Sequence, residues 1–295
     1  MERKLMLLVN PHAGKGAAIA ALGGVLERLS HAGWLPTVYF TRRAGHATEL
    51  AARRGGDYER LVCMGGDGTL SEVCAGLMCL PERRPLGYIP MGTSNDVAHS
   101  LGLSADPLAA AEQAGQGSPV ALDMGAFGEE TCFTYVAAFG AFTDVSYDTP
   151  QEAKQALGHL AYMLEGLRRL PKLRAVHAAV ETDGETLEGD FLFGAVTNST
   201  RIAGLVRLDD DAVDLSDGQF EILLVRSPKN LLDLGGIIGS VLSADFSDPS
   251  VSFLKSSRAR FRFQEPVAWT RDGERGGAHL DLTLRNCHPG VEILV

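Results

Sequence analysis

The stretch from Gly65 to Val73 reads Gly-Gly-Asp-Gly-Thr-Leu-Ser-Glu-Val and constrains the fold more than any other part of the chain. The residues before it, 60–64, form a short, largely apolar and partly β-branched run, which predicts a buried strand. The residues after it, from Leu70 to Met78, carry apolar side chains at helical spacing. The sequence therefore predicts a strand, a tight glycine turn and a helix in direct succession.

This turn has the chemistry of a phosphate site. Glycines let a phosphate approach the backbone, and a helix N-terminus offers unpaired N–H groups and the positive end of its dipole. Asp67 makes sense inside such a turn if a metal ion, or water ordered by one, separates it from the phosphates. We therefore predict a nucleoside triphosphate with Mg²⁺ as the ligand; the alternative is a tight turn that binds nothing.

Two better-known phosphate loops do not match this chain. The dinucleotide fingerprint requires a third glycine at the position that Ser71 occupies. The run Ala13-Gly14-Lys15-Gly16 is similar to part of a P-loop, but Gly16 stands where a Ser or Thr would bind magnesium.

Composition narrows the class of protein. At 295 residues, 45% hydrophobic and 22% charged, the chain has room for two globular domains. The net charge of −10 disfavours general nucleic-acid binding, which rewards a basic surface. No apolar run approaches the ~20 residues of a membrane span, and the N-terminal run is too short for a signal peptide, so we expect a cytoplasmic protein. The five cysteines and eight histidines lack metal-site spacing, so we expect free thiols and no zinc.

Strands and helices alternate through the first 120 residues. The predicted strands are 4–9, 37–41, 60–64 and 86–90, and the predicted helices are 17–31, about 46–54 and 70–78. This rhythm is typical of a three-layer α/β domain with a mostly parallel sheet, which binds ligands at the carboxyl ends of its strands. The loops 10–14, 41–43, 65–69 and 91–96 would meet there and form a binding crevice.

The pattern changes after Pro119. Predicted strands cover 120–124, 131–139, 173–180, 191–198, 219–225, 259–263 and 279–285, with two helices at 151–170 and 230–242. Asp183-Gly184 is typical of a hairpin turn. We predict a β-rich sandwich as the second domain and place the two domains at 1–122 and 123–295.

Three motifs now stand in order along the first domain: Asn10-Pro11-His12-Ala13-Gly14, Gly65-Gly66-Asp67-Gly68-Thr69 and Gly92-Thr93-Ser94-Asn95-Asp96. With them the chain resembles the diacylglycerol kinase catalytic-domain family, which includes sphingosine and ceramide kinases, and is most similar to its soluble bacterial members. The resemblance implies an NAD kinase- or phosphofructokinase-like first domain. It also implies an ATP-dependent lipid kinase that phosphorylates a lipid hydroxyl, with diacylglycerol, giving phosphatidic acid, as the first candidate.

The resemblance also implies the site residues. ATP would be bound by Asn10, Pro11, His12, Ala13, Gly14, Thr41, Gly65, Gly66, Asp67, Gly68, Thr69, Leu70, Ser71, Glu72, Thr93, Asn95 and Asp96. Mg²⁺ would be bound in the second domain by the Asp217 side chain, with carbonyls from Asp214 and Gln219. Asp67, Asp96 and Asp217 would share a network of water and metal. Two positions depart from the family pattern. Ser71 replaces the Asn of many relatives, and residues 206–211, which precede the predicted magnesium carbonyl ligands, are more acidic.

The general base is carried over to Asp272-Gly273-Glu274, and Asp67 is the third predicted catalytic residue. Residues i and i+2 share a face in an extended loop, so spacing does not choose between Asp272 and Glu274. We name both and prefer Glu274. The alternative is that Asp272-Gly273 is a plain hairpin turn.

The lipid substrate is expected to enter between the domains at a membrane surface. Two basic sets, Arg168, Arg169, Lys172 and Arg174 on a helix and Arg258, Arg260 and Arg262 on a strand, could dock on anionic headgroups or form ordinary solvated faces. Lys15 could face a phosphate or the membrane. Bacterial relatives suggest a homodimer. Two rival functions stay open: a small-molecule kinase of the NAD kinase type, and a non-catalytic, nucleotide-gated lipid-binding protein.

Overall fold

A computed structural model describes residues 3–129, 131–140, 175–202, 206–207, 213–228 and 231–295 of the chain. The chain divides into two compact units. The first contains Met1–Tyr135, Leu215–Gly218 and Cys287–Val295, and the second contains Val136–Asp214 and Gln219–Asn286. The first unit therefore continues past residue 122 and includes two segments from late in the chain.

The first unit alternates strands and helices in chain order. Its elements are β1 Arg3–Val9, α1 Ala17–His31, β2 Trp34–Phe40, α2 His46–Arg54, β3 Arg60–Gly65, α3 Asp67–Leu77, β4 Leu86–Pro90, α4 Asp96–Ser100, α5 Pro107–Gln116, β5 Pro119–Phe127 and β6 Thr131–Phe133. Short 3₁₀ turns lie at Ala13–Gly16 and Gly55–Asp57.

Four of these strands form a parallel sheet in the order β4-β3-β1-β2. Strands β3 and β4 are buried along their whole length and β1 along most of it, as expected when helices cover both faces of a parallel sheet. Leu7 lies beside Val62 on one side and Val38 on the other. The predicted alternation of strands and helices is confirmed, and the four strands end at the same edge.

Helix α5 was not predicted, although its start has a clear sequence signal. The Asp106 side chain accepts hydrogen bonds from the backbone N–H groups of Leu108 and Ala109, both at 2.9 Å, and Pro107 occupies the first helical position. A Cβ on Gly87 would lie 2.5 Å from the Ala114 Cβ, so this glycine lets α5 lie close to β4. The capping aspartate and the proline after it would have been sufficient to predict the start of this helix from the sequence.

The second unit is built from antiparallel strands. Its elements are β7 Val136–Gly140, β8 Val176–Thr182, β9 Thr186–Thr197, β10 Arg201–Ile202, β11 Val206–Arg207, β12 Phe220–Arg226, α6 Leu231–Leu242, β13 Val251–Ser256, β14 Arg258–Arg271 and β15 Glu274–Leu294. From Cys287 onward β15 belongs to the first unit. Strands β9 and β14 each pair with β8 along one part of their length and with β7 along another. Four aromatic rings, Phe139, Phe261, Phe263 and Trp269, pack together in this unit.

The predicted hairpin at Asp183-Gly184 is confirmed, since β8 and β9 pair up to Glu181 and Thr186 on either side of it. The Asp183 carboxylate accepts hydrogen bonds from the Ser256 and Ser257 hydroxyls and from the Ser257 N–H. It thereby fixes the hairpin tip to the connection between β13 and β14.

Most predicted strands agree with the structure to within a few residues, but the predictions 259–263 and 279–285 cover only parts of β14 and β15. Strand β13 and the short elements α4, β10 and β11 were not predicted. The predicted strand 131–139 is instead two strands, β6 and β7. The predicted helix 151–170 lies outside the described residues. Within the described ranges, no helix combines the length and apolarity that crossing a membrane requires.

Candidate active site

The loops that follow the parallel strands lie side by side at the carboxyl edge of the sheet. Backbone hydrogen bonds join each loop to its neighbour strand: Asn10 N–H to the Met64 carbonyl at 3.0 Å, Thr41 N–H to Val9 at 2.9 Å, and Met91 N–H to Gly65 at 2.7 Å. The sheet therefore brings the four predicted loops to one edge, as its parallel connections require.

Glycines allow three of these loops to touch through their backbones. A Cβ on Gly92 would lie 2.8 Å from the Gly66 Cα, and a Cβ on Gly14 would lie 2.9 Å from the Met91 carbonyl oxygen. Gly14 also has a left-handed backbone, with φ +61°. Side chains at these positions would push the loops apart, so the glycines set the distance between them.

Asn10 and Thr69 connect the first loop to α3. The Asn10 side-chain amide donates to the Thr69 hydroxyl at 3.1 Å, and its oxygen accepts from the His12 N–H at 3.0 Å. Thr69 is buried in the first turn of α3. These side chains fix the course of the first loop.

Asp67 connects the glycine turn to α4. Its two carboxylate oxygens accept hydrogen bonds from the backbone N–H groups of Asp96 at 3.2 Å and Val97 at 3.4 Å, and the residue is 8% exposed. The carboxylate thus lies at the positive N-terminus of α4. This contact gives Asp67 a structural role that the sequence analysis did not foresee, and it joins the Asp67 side chain to the backbone of Asp96, another predicted site residue.

The Asp67 charge also acts on buried groups beside the turn. Burial raises the pKa of the Tyr88 hydroxyl well above its ordinary value, and the nearby Asp67 charge raises it further. Burial likewise raises the pKa of the Cys63 thiol, with smaller contributions from the Glu72 and Asp67 charges. A thiol with a raised pKa is a poor nucleophile, so Cys63 behaves as a core residue.

Asn95 closes the loop after β4 onto itself. It has a left-handed backbone, with φ +49°, which Asn tolerates better than most residues. Its side-chain oxygen accepts from the Gly92 N–H at 2.8 Å, and its amide donates to the Gly92 carbonyl at 3.1 Å. Thr93 is exposed on this loop.

Glu72 holds the loop after β2. Its carboxylate accepts from the N–H groups of Gly45 at 2.8 Å and Ala47 at 3.0 Å, at the start of α2. The Thr48 hydroxyl donates to the Glu72 carbonyl at 2.9 Å. Glu72 therefore orders the segment that follows Thr41, which itself is partly exposed.

The other predicted nucleotide residues differ in exposure. Ala13 and Leu70 are buried and belong to the core, whereas His12 is exposed in the first loop and Ser71 is partly buried on α3. Pro11 is partly exposed beside His12.

Asp123 contacts the segment of the predicted magnesium ligand Asp217, and the sequence analysis missed it. It lies on β5 and is 0% exposed, with one carboxylate oxygen 2.7 Å from the Gly218 N–H and the other 2.7 Å from His288 Nδ1. Its own N–H donates to the Leu215 carbonyl at 2.8 Å. Asp123 thereby fixes the segment that contains Asp217 within the first unit. The sequence signal was a single aspartate inside an apolar strand.

The predicted magnesium ligands have the right donor chemistry. Asp214 and Asp217 are exposed, and the Gln219 carbonyl accepts a hydrogen bond from the Asn286 amide at 3.1 Å. The part of the chain that the structure describes contains no group of three His, Cys, Asp or Glu side chains suited to a metal. The predicted site has one carboxylate and two backbone carbonyls, so it would not count as a group of three such side chains. Its ligands are all oxygens and are open to solvent, which suits Mg²⁺ because this ion retains several waters.

The two candidate bases occupy different environments. Asp272 and Gly273, with φ +48° and +80°, form the two-residue turn between β14 and β15, in which Arg271 pairs with Glu274. The plain-turn interpretation therefore describes this backbone correctly. Asp272 is buried and its carboxylate accepts from the Val136 N–H at 3.1 Å, whereas Glu274 is exposed.

The basic strand face is partly neutralised. Arg260 forms two hydrogen bonds to the Asp281 carboxylate, at 2.9 and 2.6 Å, and Arg262 forms an ion pair with Glu181. These acids lie on the neighbouring strands β15 and β8. Cross-strand partners thus balance two of the three arginines of this face, and whether it docks on a membrane stays a prediction. The other basic set, 168–174, lies outside the described residues.

Comparison with known proteins decides the family. Residues 4–127 match the diacylglycerol kinase catalytic domain, and residues 139–294 match the YegS C-terminal NAD kinase beta sandwich-like domain. A diacylglycerol kinase of Staphylococcus carnosus (strain TM300) is 34% identical over 99% of this chain and 95% of that protein. The chain belongs to the diacylglycerol kinase family.

Further relatives agree with this assignment. A diacylglycerol kinase of Bacillus subtilis (strain 168) is 32% identical over 93% of this chain and 91% of that protein. A crystal structure of a diacylglycerol kinase from Bacillus anthracis str. Sterne has a TM-score of 0.77 at 20% identity, covering 99% of this chain and 96% of that one. A second Bacillus anthracis crystal structure reaches a TM-score of 0.82 at 23% identity, over 99% and 95% of the two chains. At these identities the structures show the fold.

The predicted resemblance and the predicted fold class, an α/β domain followed by a β-sandwich domain, are confirmed. Membership of this family supports a lipid kinase and implies ATP as the phosphoryl donor. The individual site residues stay predictions.

Proposed function

We propose that this protein is an ATP-dependent lipid kinase that transfers the γ-phosphate to the hydroxyl of a lipid alcohol, with diacylglycerol as the first candidate. The observation that carries the proposal is the junction of the Gly66 and Gly92 loops, where Asp67 is held against the start of α4. The names of the relatives support the same chemistry.

ATP would lie across the carboxyl edge of the parallel sheet. Phosphoryl transfer asks a protein mainly for positioning and charge stabilisation. The N-terminus of α3 supplies backbone N–H groups beside Gly66, and the exposed Thr93 could donate a further hydrogen bond. Asn10, Glu72 and Asn95 hydrogen-bond to the loops and fix their positions, and would thereby affect nucleotide binding indirectly.

Mg²⁺ would be held by the Asp217 carboxylate with the carbonyls of Asp214 and Gln219. When bound, it would offset negative charge near the transferring phosphoryl group. The contribution of the chain is to fix this segment, which Asp123 does through Gly218 and His288.

Glu274 would accept the proton of the attacking lipid hydroxyl. It is an exposed carboxylate at the start of β15, which suits a general base that must reach a substrate.

An apolar substrate in a bilayer requires the enzyme to reach the membrane surface, and we propose reversible peripheral docking from the cytoplasmic side. The set 168–174 is the candidate docking region, and homodimer formation stays a prediction.

The test is transfer of radiolabelled phosphate from ATP to a panel of acceptors in mixed micelles. The panel contains diacylglycerol, a sphingoid base and other lipid alcohols, with NAD and a sugar phosphate as controls. We expect a labelled, chloroform-soluble product from diacylglycerol that requires Mg²⁺. Label in NAD or the sugar phosphate instead would support a small-molecule kinase. ATP binding without transfer to any acceptor would support a non-catalytic lipid-binding protein.

A further inference from the structure

The turn that joins β14 to β15 contains two carboxylates, Asp272 and Glu274, and the structure distinguishes them. Asp272 has a left-handed backbone, and Asn, Asp and Gly are the residues that best tolerate this conformation. Glu274 begins β15 in regular strand pairing with Arg271. Asp272 therefore lies in the turn itself, whereas Glu274 lies in the strand that follows it.

Asp272 binds both polar backbone groups of Val136. Its N–H donates to the Val136 carbonyl at 2.8 Å, and its carboxylate oxygen accepts from the Val136 N–H at 3.1 Å. The backbone pairing of β14 with β7 runs from Trp269 to Arg271, opposite Phe139 to Ala137. Asp272 therefore extends this ladder by one residue beyond the strand, with its side chain in place of the carbonyl acceptor.

This arrangement ties the turn to β7 at a fixed point. Asp272 is 8% exposed. A buried backbone N–H needs a hydrogen-bond partner, and the Asp272 carboxylate is that partner for the Val136 N–H. At 8% exposure, with one carboxylate oxygen bound to the Val136 N–H, Asp272 is less accessible to a substrate hydroxyl than an exposed carboxylate is. Glu274, two residues on, is exposed and is positioned by the same turn.

We propose that Asp272 is a positioning residue, which anchors the turn to Val136 so that Glu274 is held where it can act as the base. The inference rests on the proposed function and assigns different roles to the two acids of the turn.

The test compares Asp272→Asn, Asp272→Ala and Glu274→Gln in the full chain. Asn keeps an acceptor oxygen and tolerates the left-handed backbone, so Asp272→Asn should lower kcat by less than about tenfold. Ala loses the acceptor and disfavours that backbone, so Asp272→Ala should lower kcat by roughly 100-fold while KM for ATP stays within about twofold. Glu274→Gln should lower kcat by about 10³-fold, within the usual range for loss of a general base.

Two further measurements separate positioning from chemistry. The acid limb of the kcat–pH profile should persist in Asp272→Asn and disappear in Glu274→Gln. Hydrogen exchange of the Val136 amide should be slow in the parent and in Asp272→Asn and faster in Asp272→Ala. This second measurement needs no activity, so it tests the anchor even if the parent phosphorylates no lipid and the proposed function fails.

The proposal is overturned if Asp272→Asn loses as much activity as Glu274→Gln, because the charge of Asp272 would then be needed for catalysis beyond its contact with Val136. It is also overturned if Asp272→Ala leaves both kcat and Val136 exchange unchanged, because the turn would then be held by other contacts.

Discussion

Replacing Asp67 by Asn separates its structural contact from its proposed catalytic charge. The two carboxylate hydrogen bonds, at 3.2 and 3.4 Å, are long, so each contributes at most about 0.5–1 kcal/mol to stability. Asn keeps one acceptor oxygen but turns its NH2 group toward the second buried N–H, so the expected loss is about 1–3 kcal/mol. For a protein of this size each kcal/mol corresponds to a fall in Tm of about 2–4 °C.

The effect on catalysis should be much larger. A group that stabilises charge in the transition state typically contributes about 3–4 kcal/mol, so Asp67→Asn should lower kcat for lipid phosphorylation by roughly 10²–10³-fold. Thermal unfolding followed by circular dichroism and the radiolabelled transfer assay measure the two effects on the same sample.

Asp106→Asn is the matched control. Asp106 also caps a helix through two backbone N–H groups, at 2.9 Å each, but it lies on the exposed start of α5. Both N–H groups bond to one Asp106 oxygen, which Asn retains, so this variant should lose little stability and keep kcat unchanged. If Asp67→Asn is folded and as active as Asp106→Asn, then Asp67 is a helix cap and the proposed catalytic role is refuted.

Three further predictions address other contacts. Asp217→Ala should raise the Mg²⁺ concentration needed for half-maximal activity, and an unchanged Mg²⁺ titration would place the metal elsewhere. Glu72→Ala removes the acceptor of two backbone N–H groups at the start of α2. It should therefore raise KM for ATP more than Glu72→Gln does. Equal effects of the two variants would argue that the order of the loop after β2 does not affect ATP binding. Hydrogen bonds from the Ser257 and Ser256 side chains hold the pKa of Asp183 below its ordinary value. The carboxylate therefore stabilises the fold above the unfolded pKa, near pH 4, and this stability is lost as the pH falls through the folded value. Urea unfolding between about pH 7 and pH 3 should show a smaller decline for Asp183→Asn than for the parent, and parallel declines would contradict the assignment.

Sequence reasoning succeeded where a local pattern decides the structure. The apolar run Leu86–Pro90 and the helical run Ala17–His31 were predicted with the bounds that the structure shows. Parallel connections then place the following loops at one edge, whatever their detailed course.

It failed where a side chain meets a partner that is distant in sequence. The direct hydrogen bond from the Asp96 N–H to the Asp67 carboxylate spans 29 residues, where only a network of water and metal was expected, and the contact of Asp123 with His288 spans 165. The alternating arginines of β14 were visible, but the acids Asp281 and Glu181 that balance two of them come from other strands. Such pairings depend on strand register, which no local pattern specifies.

The first unit includes Leu215–Gly218 and Cys287–Val295, and this has a consequence for how the protein is made. During synthesis, strands β1 to β4 emerge long before the segments that complete their unit. Ile293 pairs with Leu86 beside the outer edge of β4, so that edge stays open until the C-terminal strand has left the ribosome. An open apolar edge invites pairing with other chains. A shortened chain that stops at residue 127, where the catalytic-domain match ends, should therefore aggregate even though it contains all three motifs of the first domain.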